Sequence, residues 1–248
     1  MLGRLKIVIP SFNSVKYLPK TLHSIETQTF KAYDVCIVDD ASTIPQQRQI
    51  IEEFCQRHSS WRALFHSHNQ GALVSIIDGI NGLDCQDEDV IVIIDGDDWL
   101  ANDQALQIIA DTYQSPDVYL TYGSFETYPK DCINITYAAP IGEEVIEKQL
   151  YRHIRWVFHH PKTFKYFLWK QVKDEDLRNG EGNYYMVTSD RALFYPLLEM
   201  AGRHIRFIDK ILYIYNLENP LNDHKINRDE QYFEELYIKS RTKYPPLR

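Results

Sequence analysis

In the first half of the chain, short apolar runs alternate with segments in which apolar residues recur at helical spacing. The apolar runs predict strands at 5–9, 35–38, 63–65, 90–94 and 118–122. The periodic segments predict helices from about 13 to 25 and at 46–57, 71–80 and 103–113. Repeated strand–helix–strand units predict an α/β fold with a mainly parallel sheet and helices on both faces.

The pattern changes after residue 130. Aromatic-rich segments at 143–158 and 163–172 predict helices, and the polar segment 173–185 predicts a loop. A helix at 190–201 should end at Gly202, before a strand at 205–215 and a final helix at 229–240. Without an internal repeat or a linker-like stretch, the sequence predicts a single domain, 1–248, whose second half is α-rich.

A buried strand of the first half ends in a cluster of carboxylates. The run 90–94 has five apolar residues without alternation, which is typical of a strand covered on both faces. Asp95-Gly96-Asp97-Asp98 follows, and these carboxylates should emerge at the strand end, where open α/β sheets bind ligands. Carboxylate oxygens suit Mg²⁺ or Mn²⁺, and such an ion would hold a diphosphate. A plain acidic turn, with Asp97 or Asp98 capping the next helix, explains this stretch equally well.

Two other predicted strands also end in polar, turn-forming residues. The first ends in Pro10-Ser11-Phe12-Asn13, and the second ends in Asp39-Asp40-Ala41-Ser42. The ends of parallel strands lie on one edge of a sheet, so these side chains should converge with the carboxylates after residue 94. Convergence of the three strand ends favours a ligand site over three unrelated turns.

Composition and charge narrow the class of protein. The chain has 248 residues, 44% hydrophobic and 25% charged, and its formal net charge of −8 argues against a nucleic-acid-binding surface. The cysteines Cys36, Cys55, Cys85 and Cys132 form no CxxC pair and resemble reduced thiols. With no signal-peptide pattern and no apolar run of spanning length, we expect a cytoplasmic protein.

Basic and aromatic residues are interleaved between 152 and 173. The default expectation is a solvated helix face with lysine stems lying along it. The alternatives are contact with an anionic or sugar ligand and peripheral contact with a membrane surface. The basic residues are Arg152, Arg155, Lys162, Lys165, Lys170 and Lys173.

Four segments in this order resemble a known family. IVIPSFN, IVDDAST, NQGALVSIIDGI and IIDGDDWL are similar to the GT-A nucleotide-sugar glycosyltransferases, in particular glycosyltransferase family 2. The resemblance is strong over 5–125 and looser over 155–225. It implies a GT-A, Rossmann-like fold with a nucleotide-sugar-binding half at 1–130 and an acceptor-binding, base-supplying half at 131–248. The implied enzyme is inverting and metal-dependent, and moves a sugar from a nucleotide-diphospho-sugar, expected to be a UDP-sugar, to a hydroxyl of a glycan, lipid or protein.

The resemblance also implies roles for residues at the strand ends. The expected nucleoside pocket consists of Pro10, Phe12, Asn13, Asp39 and Asp40, although a turn and helix cap would also explain the two aspartates. The remaining donor-binding residues are expected to be Asn69, Gly71, Asp95 and Gly96. Asp97 is the expected ligand of Mn²⁺ or Mg²⁺, with Asp98 as an alternative or second ligand and His224 as a further one.

A catalytic base is expected at the start of the helix at 190–201. Inverting transfer needs a carboxylate to accept the proton of the attacking hydroxyl, and by resemblance this is Asp190. A helix cap is the alternative role for Asp190, and Glu175 or Asp176 are alternative bases. His159 and His160 are expected either on the acceptor side or in packing roles. Residues 219–223 are expected to form a lid over the donor.

Two features leave a second function open. Ser189 stands where the family carries an acidic residue, and no basic residue adjoins Gly71. The alternative is therefore an inactive or weakly active nucleotide-sugar-binding protein of the same fold. A nucleotidyltransferase fits less well, because Pro10–Asn13 replaces the glycine- and basic-rich loop that such enzymes need after the first strand.

Overall fold

The computed structural model describes residues 3–130, 138–221 and 228–247, with the backbone alone for 228–230. The strands are β1 (Leu5–Ser11), β2 (Tyr33–Asp39), β3 (Trp61–Phe65), β4 (Val90–Ile93), β5 (Trp99–Leu100), β6 (Leu120–Tyr128), β7 (His159–Lys165) and β8 (Ile205–Asn216). Within the described residues these eight strands form one sheet in the order β3-β2-β1-β4-β7-β6-β8-β5.

The first four strands in this order are parallel, as predicted. Ile7 of β1 pairs with Val35 of β2 on one side and with Val92 of β4 on the other. β2 pairs in parallel with β3. The carboxyl ends of β1, β2 and β4 therefore meet at one edge of the sheet.

Helices cover both faces of the sheet. They are α1 (Leu18–Glu26), α2 (Pro45–Arg57), α3 (Ala72–Asn81), α4 (Ala105–Thr112), α5 (Glu143–Glu147), α6 (Tyr166–Trp169), α7 (Ser189–Ala201) and α8 (Arg228–Ser240). One apolar cluster joins α1, α2 and α4 to the sheet, and another joins α3 and α7 to its opposite face. Burial on both faces explains why β4 is apolar at every position. Among the described residues, no helix is both long and apolar enough to cross a membrane.

Beyond β4 the sheet is mixed, but parallel pairs remain the majority among the described strands, in agreement with the expected mainly parallel sheet. β7 runs antiparallel to both β4 and β6, while β6 and β8 are parallel and β5 is antiparallel to β8. Only five residues of the predicted helix 143–158 are helical, in α5. The predicted helix 163–172 is wrong at its start, since 163–165 belong to β7 and the short helix α6 follows.

The physical reason for these corrections is long-range pairing. Thr163 and Phe164 of β7 pair with Val92 and Ile91, so this segment fills the second edge of β4. Helical spacing of apolar residues cannot reveal a partner strand some 70 residues away. The second half is therefore less helical than predicted, because it contributes strands to the middle and far side of the sheet.

The basic segment 152–173 is also not a solvated helix face. Arg152 is buried and pairs with buried Glu199 at 2.6 Å. Lys165 of β7 is buried with its ammonium 2.7 Å from Glu88. Lys162 is buried as well. Buried cations require such partners, and all of these partners are distant in sequence.

Candidate active site

A buried glutamine joins the ends of β1 and β2. The Nε2 of Gln47, on α2, donates to Asp39 Oδ1 at 2.6 Å and to Ser11 Oγ at 3.0 Å. Its Oε1 accepts from the backbone N–H of Ser14 at 2.6 Å. All four polar groups are buried, so the network fixes the two strand ends relative to each other.

The predicted nucleoside residues after β1 are held by the turn after β2. The backbone N–H of Asn13 donates to Ser42 Oγ at 2.8 Å, and Asn13 Oδ1 accepts from the Thr43 N–H at 2.9 Å. Asn13 has a φ of +48°, a conformation that asparagine tolerates better than most residues. Pro10 is buried, whereas Phe12 is half-buried and remains accessible for a base.

Asp40 holds the loop before α3. Its Oδ1 accepts from the N–H of Gln70 at 2.9 Å and lies 2.8 Å from His66 Nδ1. Its Oδ2 accepts from the N–H of Gly71 at 2.7 Å, where φ is +88°. The carboxylate thus positions the loop 66–71 rather than presenting itself to a base. Asn69 is exposed on this loop and donates to the Asp40 carbonyl at 3.3 Å.

Gly96 allows the ends of β4 and β1 to touch. Its N–H donates to the Pro10 carbonyl at 3.0 Å, and its carbonyl accepts from Thr21 Oγ1 at 3.1 Å. A Cβ at this position would lie 2.7 Å from Ser11 Oγ and 2.9 Å from the Pro10 oxygen. The glycine therefore serves a close contact between two strand ends of the protein itself.

The aspartates after β4 occupy different environments. Asp98 is buried, and its Oδ1 accepts from the N–H of Asn216 at the end of β8, at 2.7 Å. Burial, followed by the charges of Asp97 and Asp95, raises the pKa of Asp98 well above its ordinary value. This carboxyl anchors β8 inside the protein, which makes it a poor second metal ligand.

Asp97 is partly exposed, as a metal ligand should be. Its Oδ2 accepts from Asn219 Nδ2 at 2.7 Å, so the segment after β8 reaches this candidate metal ligand. In the described part of the chain, no group of three or more His, Cys, Asp or Glu could hold a metal ion unaided. One carboxylate with phosphate and water oxygens is a normal Mg²⁺ environment, and Asp97 fits that role. His224, the predicted further ligand, and residues 222–223 of the predicted lid lie outside the described residues.

Asp95 contacts β7 through a histidine. His160 Nε2 lies 3.5 Å from Asp95 Oδ2, and the His160 ring stacks on Tyr213 with 4.5 Å between centroids. Burial, then the charges of Lys162 and His159, lower the pKa of His160 well below its ordinary value. His160 is therefore neutral near pH 7, and it packs on Tyr213 while making a polar contact with Asp95.

Asp190 lies in the first turn of α7. Its Oδ1 accepts from the N–H of Arg191 at 2.8 Å, and its side chain is 36% exposed. Its Oδ2 lies 3.6 Å from the ammonium of Lys162. Burial alone would raise the pKa of Asp190, but the charges of Lys162 and Arg191 outweigh it, so the pKa is lowered. Asp190 is ionised at neutral pH and is not the N-cap, which is Thr188.

Lys162 is the site residue whose role sequence reasoning missed. In β7 it pairs with Ile93, two residues before Asp95, while its ammonium reaches Asp190. The neighbouring His159 and His160 are the sequence signal for this segment, whereas the helix predicted at 163–172 obscures the strand to which Lys162 belongs. The alternative bases have other partners. Asp176 accepts from Arg241 and from the hydroxyl of Tyr244, and the Glu175 carboxylate lies 3.7 Å from the ammonium of Lys173.

The chain belongs to a known protein family. The family Glycosyl transferase family 2 matches residues 6–174, and the chain is a member of it. It is 25% identical over 231 residues to "Glycosyltransferase GlyA" of Streptococcus pneumoniae serotype 4, covering 86% of this chain and 30% of GlyA. It is 23% identical over 221 residues to "Glycosyltransferase GlyG" of the same organism, covering 85% of this chain and 70% of GlyG.

Solved structures share the fold. Staphylococcus aureus TarS superposes with a TM-score of 0.67 at 16% identity, over 94% of this chain and 38% of TarS. A mannosyltransferase, PcManGT from Pyrobaculum calidifontis, in complex with GDP-Man and Mn²⁺, gives 0.69 at 17% identity, over 99% of this chain and 66% of that one. The chain thus spans about a third of the length of GlyA and TarS. The family resemblance and the GT-A fold expected from the sequence are both confirmed.

Proposed function

We propose that this chain is the catalytic domain of an inverting, metal-dependent glycosyltransferase that uses a nucleotide-diphospho-sugar. One observation carries the proposal. The strand β7 connects the metal motif to the candidate base, through His160 beside Asp95 and Lys162 beside Asp190. A donor held by the motif and an acceptor held near Asp190 would therefore meet across two neighbouring strands.

The donor side is assigned to the ends of β1, β2 and β4. Asp39 and Phe12 would contact the nucleoside, and Asp95 would contact the ribose or the sugar. Asp97 would hold Mn²⁺ or Mg²⁺, which neutralises the diphosphate and improves it as a leaving group. Solved relatives are TarS 1–349 in complex with UDP or UDP-GlcNAc, and PcManGT with GDP-Man and Mn²⁺. We infer a nucleoside-diphosphate sugar, with a UDP-sugar as first choice.

The acceptor side is assigned to Asp190. The acceptor hydroxyl gives its proton to the Asp190 carboxylate while its oxygen forms a bond to the anomeric carbon. The bond from that carbon to the diphosphate oxygen breaks, and its electron pair leaves with the nucleoside diphosphate. A single displacement of this kind inverts the anomeric centre. Lys162 supports it by keeping Asp190 ionised. The acceptor is a hydroxyl of a glycan, lipid or protein, bound by residues in 131–248.

A donor screen tests this function. UDP-, GDP-, CDP- and dTDP-sugars are added to the chain with and without Mn²⁺, and thermal unfolding is followed. We expect one donor, a UDP-sugar, to raise the unfolding temperature only with Mn²⁺, and that donor to be slowly hydrolysed. Proton NMR of the released or transferred sugar should show the opposite anomer. Binding without any turnover across a broad acceptor panel would favour the inactive binding protein, and a retained anomer would contradict inversion.

A further inference from the structure

The residue before α7 has a backbone conformation that its side chain disfavours. Thr188 has a φ of +52° and a ψ of +18°, in the left-handed region. The described non-glycine residues with positive φ are Asn13, Ala41, Gln149 and Thr188, and among them Thr188 is β-branched. A β-branched residue with such a φ is rare, and it persists only where surrounding contacts impose it.

A glutamate of α8 supplies such a contact. The Oγ1 of Thr188 lies 2.6 Å from Glu234 Oε2 and 2.7 Å from the carbonyl of Val187. A hydroxyl has one proton, and an ionised carboxylate is the stronger acceptor of the two. Thr188 is 5% exposed, so little water competes for this bond.

The same helix also contacts the residue after Asp190. The Nη1 of Arg191 lies 3.2 Å from Glu235 Oε2, and both side chains are 23% exposed. α8 therefore contacts Thr188, which lies two positions before the candidate base and precedes α7, and Arg191, which lies one position after it. The direction of the first turn of α7, which carries Asp190, depends on the backbone at Thr188.

We propose that Glu234 is a positioning residue, which holds Thr188 in the left-handed conformation and thereby orients Asp190 toward the acceptor. This inference rests on the proposed role of Asp190 as the base. On this proposal α8 supports the candidate base through its contact with Thr188. The family match, over residues 6–174, does not include this helix.

Two substitutions of Thr188 are expected to lower kcat by different amounts. Thr188→Val keeps the β-branch and loses the hydroxyl, so the disfavoured conformation has no anchor. Thr188→Gly also loses the hydroxyl, but glycine adopts positive φ without strain. We expect kcat to fall about tenfold for Val and clearly less for Gly, since left-handed strain is of that order. If side-chain packing were all that mattered, Gly would be the more damaging change.

Substitutions of Glu234 are tested by the same measurements. Glu234→Ala should lower kcat as much as Thr188→Val does, and the double variant should lose no more than either single variant. Glu234→Gln can still accept the hydrogen bond and should recover most of kcat. Glu147→Ala, at an exposed glutamate of α5, is the control for loss of a carboxylate. Binding of UDP with Mn²⁺ should change by less than about twofold throughout, because the donor side is untouched.

The inference and the proposed function fail in different ways. If the wild type shows no turnover, the proposed function is refuted. The midpoint of urea unfolding then still tests the contact between Glu234 and Thr188: Thr188→Val should lower the midpoint and Thr188→Gly should not. Active wild type with an unaffected Thr188→Val, or with Gly worse than Val, overturns the inference. A loss of UDP binding in parallel with kcat also overturns it, because the defect is then not confined to the base.

Discussion

The two parts of the candidate site are built by different means. One part lies at the parallel strands β3, β2, β1 and β4, and the other lies at the strands beyond them. On the parallel side, candidate donor-binding residues lie in contiguous motifs at or shortly after strand ends, such as Asp39, the last residue of β2, and Asp97, four residues after β4. On the other side, residues act through distant partners, such as Lys162 with Asp190 and His160 with Asp95. The candidate donor-binding residues are thus marked by local sequence motifs, whereas the environment of the candidate base is created only by the tertiary fold.

The largest expected effect separates the two neighbouring aspartates of the parallel side. Asp97→Asn should reduce kcat/KM about a thousandfold, because loss of the metal carboxylate removes several kcal/mol of charge stabilisation. Asp98→Asn is the matched control: its amide oxygen can still accept from Asn216, and it removes a buried carboxyl with a raised pKa. It should keep activity within about fivefold and should not lower stability at pH 7. Equal losses from both changes would contradict the assignment.

The next largest effect is expected at the candidate base, Asp190, which lies beside β7. Asp190→Asn should lower kcat by about a hundredfold to ten-thousandfold, the range for loss of a general base. Steady-state kinetics with saturating donor measure it. Asp176→Asn serves as control, since that carboxylate bonds to Arg241 and Tyr244 instead. Should Asp176→Asn be the more damaging of the two, the base lies elsewhere.

The pH dependence of kcat tests the contact between Lys162 and Asp190. A general base is active when ionised, so activity is lost as the pH falls through its pKa. The pKa of Asp190 is lowered because Lys162 and Arg191 outweigh burial. The acid limb of kcat in the wild type should therefore lie below the ordinary pKa of an aspartate. Lys162→Met removes the first of these charges at similar volume, and the limb should move to higher pH. An unmoved limb would show that Lys162 does not set this ionisation.

The smallest expected effect concerns packing on the parallel side. Gly96→Ala places a Cβ 2.7 Å from Ser11 Oγ and 2.9 Å from the Pro10 carbonyl. Overpacking of this kind should lower the free energy of unfolding by about 1–3 kcal/mol in urea titrations. Gly142→Ala, where an added Cβ meets no atom within 4 Å, is the control. An unchanged unfolding midpoint for Gly96→Ala would mean that the strand ends are not in close contact.

The parallel side could be predicted from the sequence because its signals are local. Apolar runs ended by polar residues identified β1, β2 and β4, and one shared edge followed from parallel pairing. The sequence did not reveal that Asp40 serves the loop at 66–71, or that Asp98 anchors β8. Both roles depend on which backbone N–H groups the fold brings near each carboxylate.

The other side could not be predicted as well, for physical reasons. Lys162 is a charged residue in a buried strand, and its burial is tolerated because Asp190 lies near it. A local pattern containing lysine, proline and histidine gives no strand signal of the usual kind. Glu234 and Thr188 are 46 residues apart, and no sequence pattern near either residue predicts their contact.

We propose that the ends of the parallel strands bind the donor and that Asp190, beside β7, is the base. Calorimetric titration of UDP in the presence of Mn²⁺ tests it directly with wild type, Asp97→Asn and Asp190→Asn. We expect Asp190→Asn to bind with a Kd within about twofold of wild type, and Asp97→Asn to bind at least about tenfold more weakly. Wild-type affinity in Asp97→Asn, or equal weakening in both variants, would contradict this division of roles.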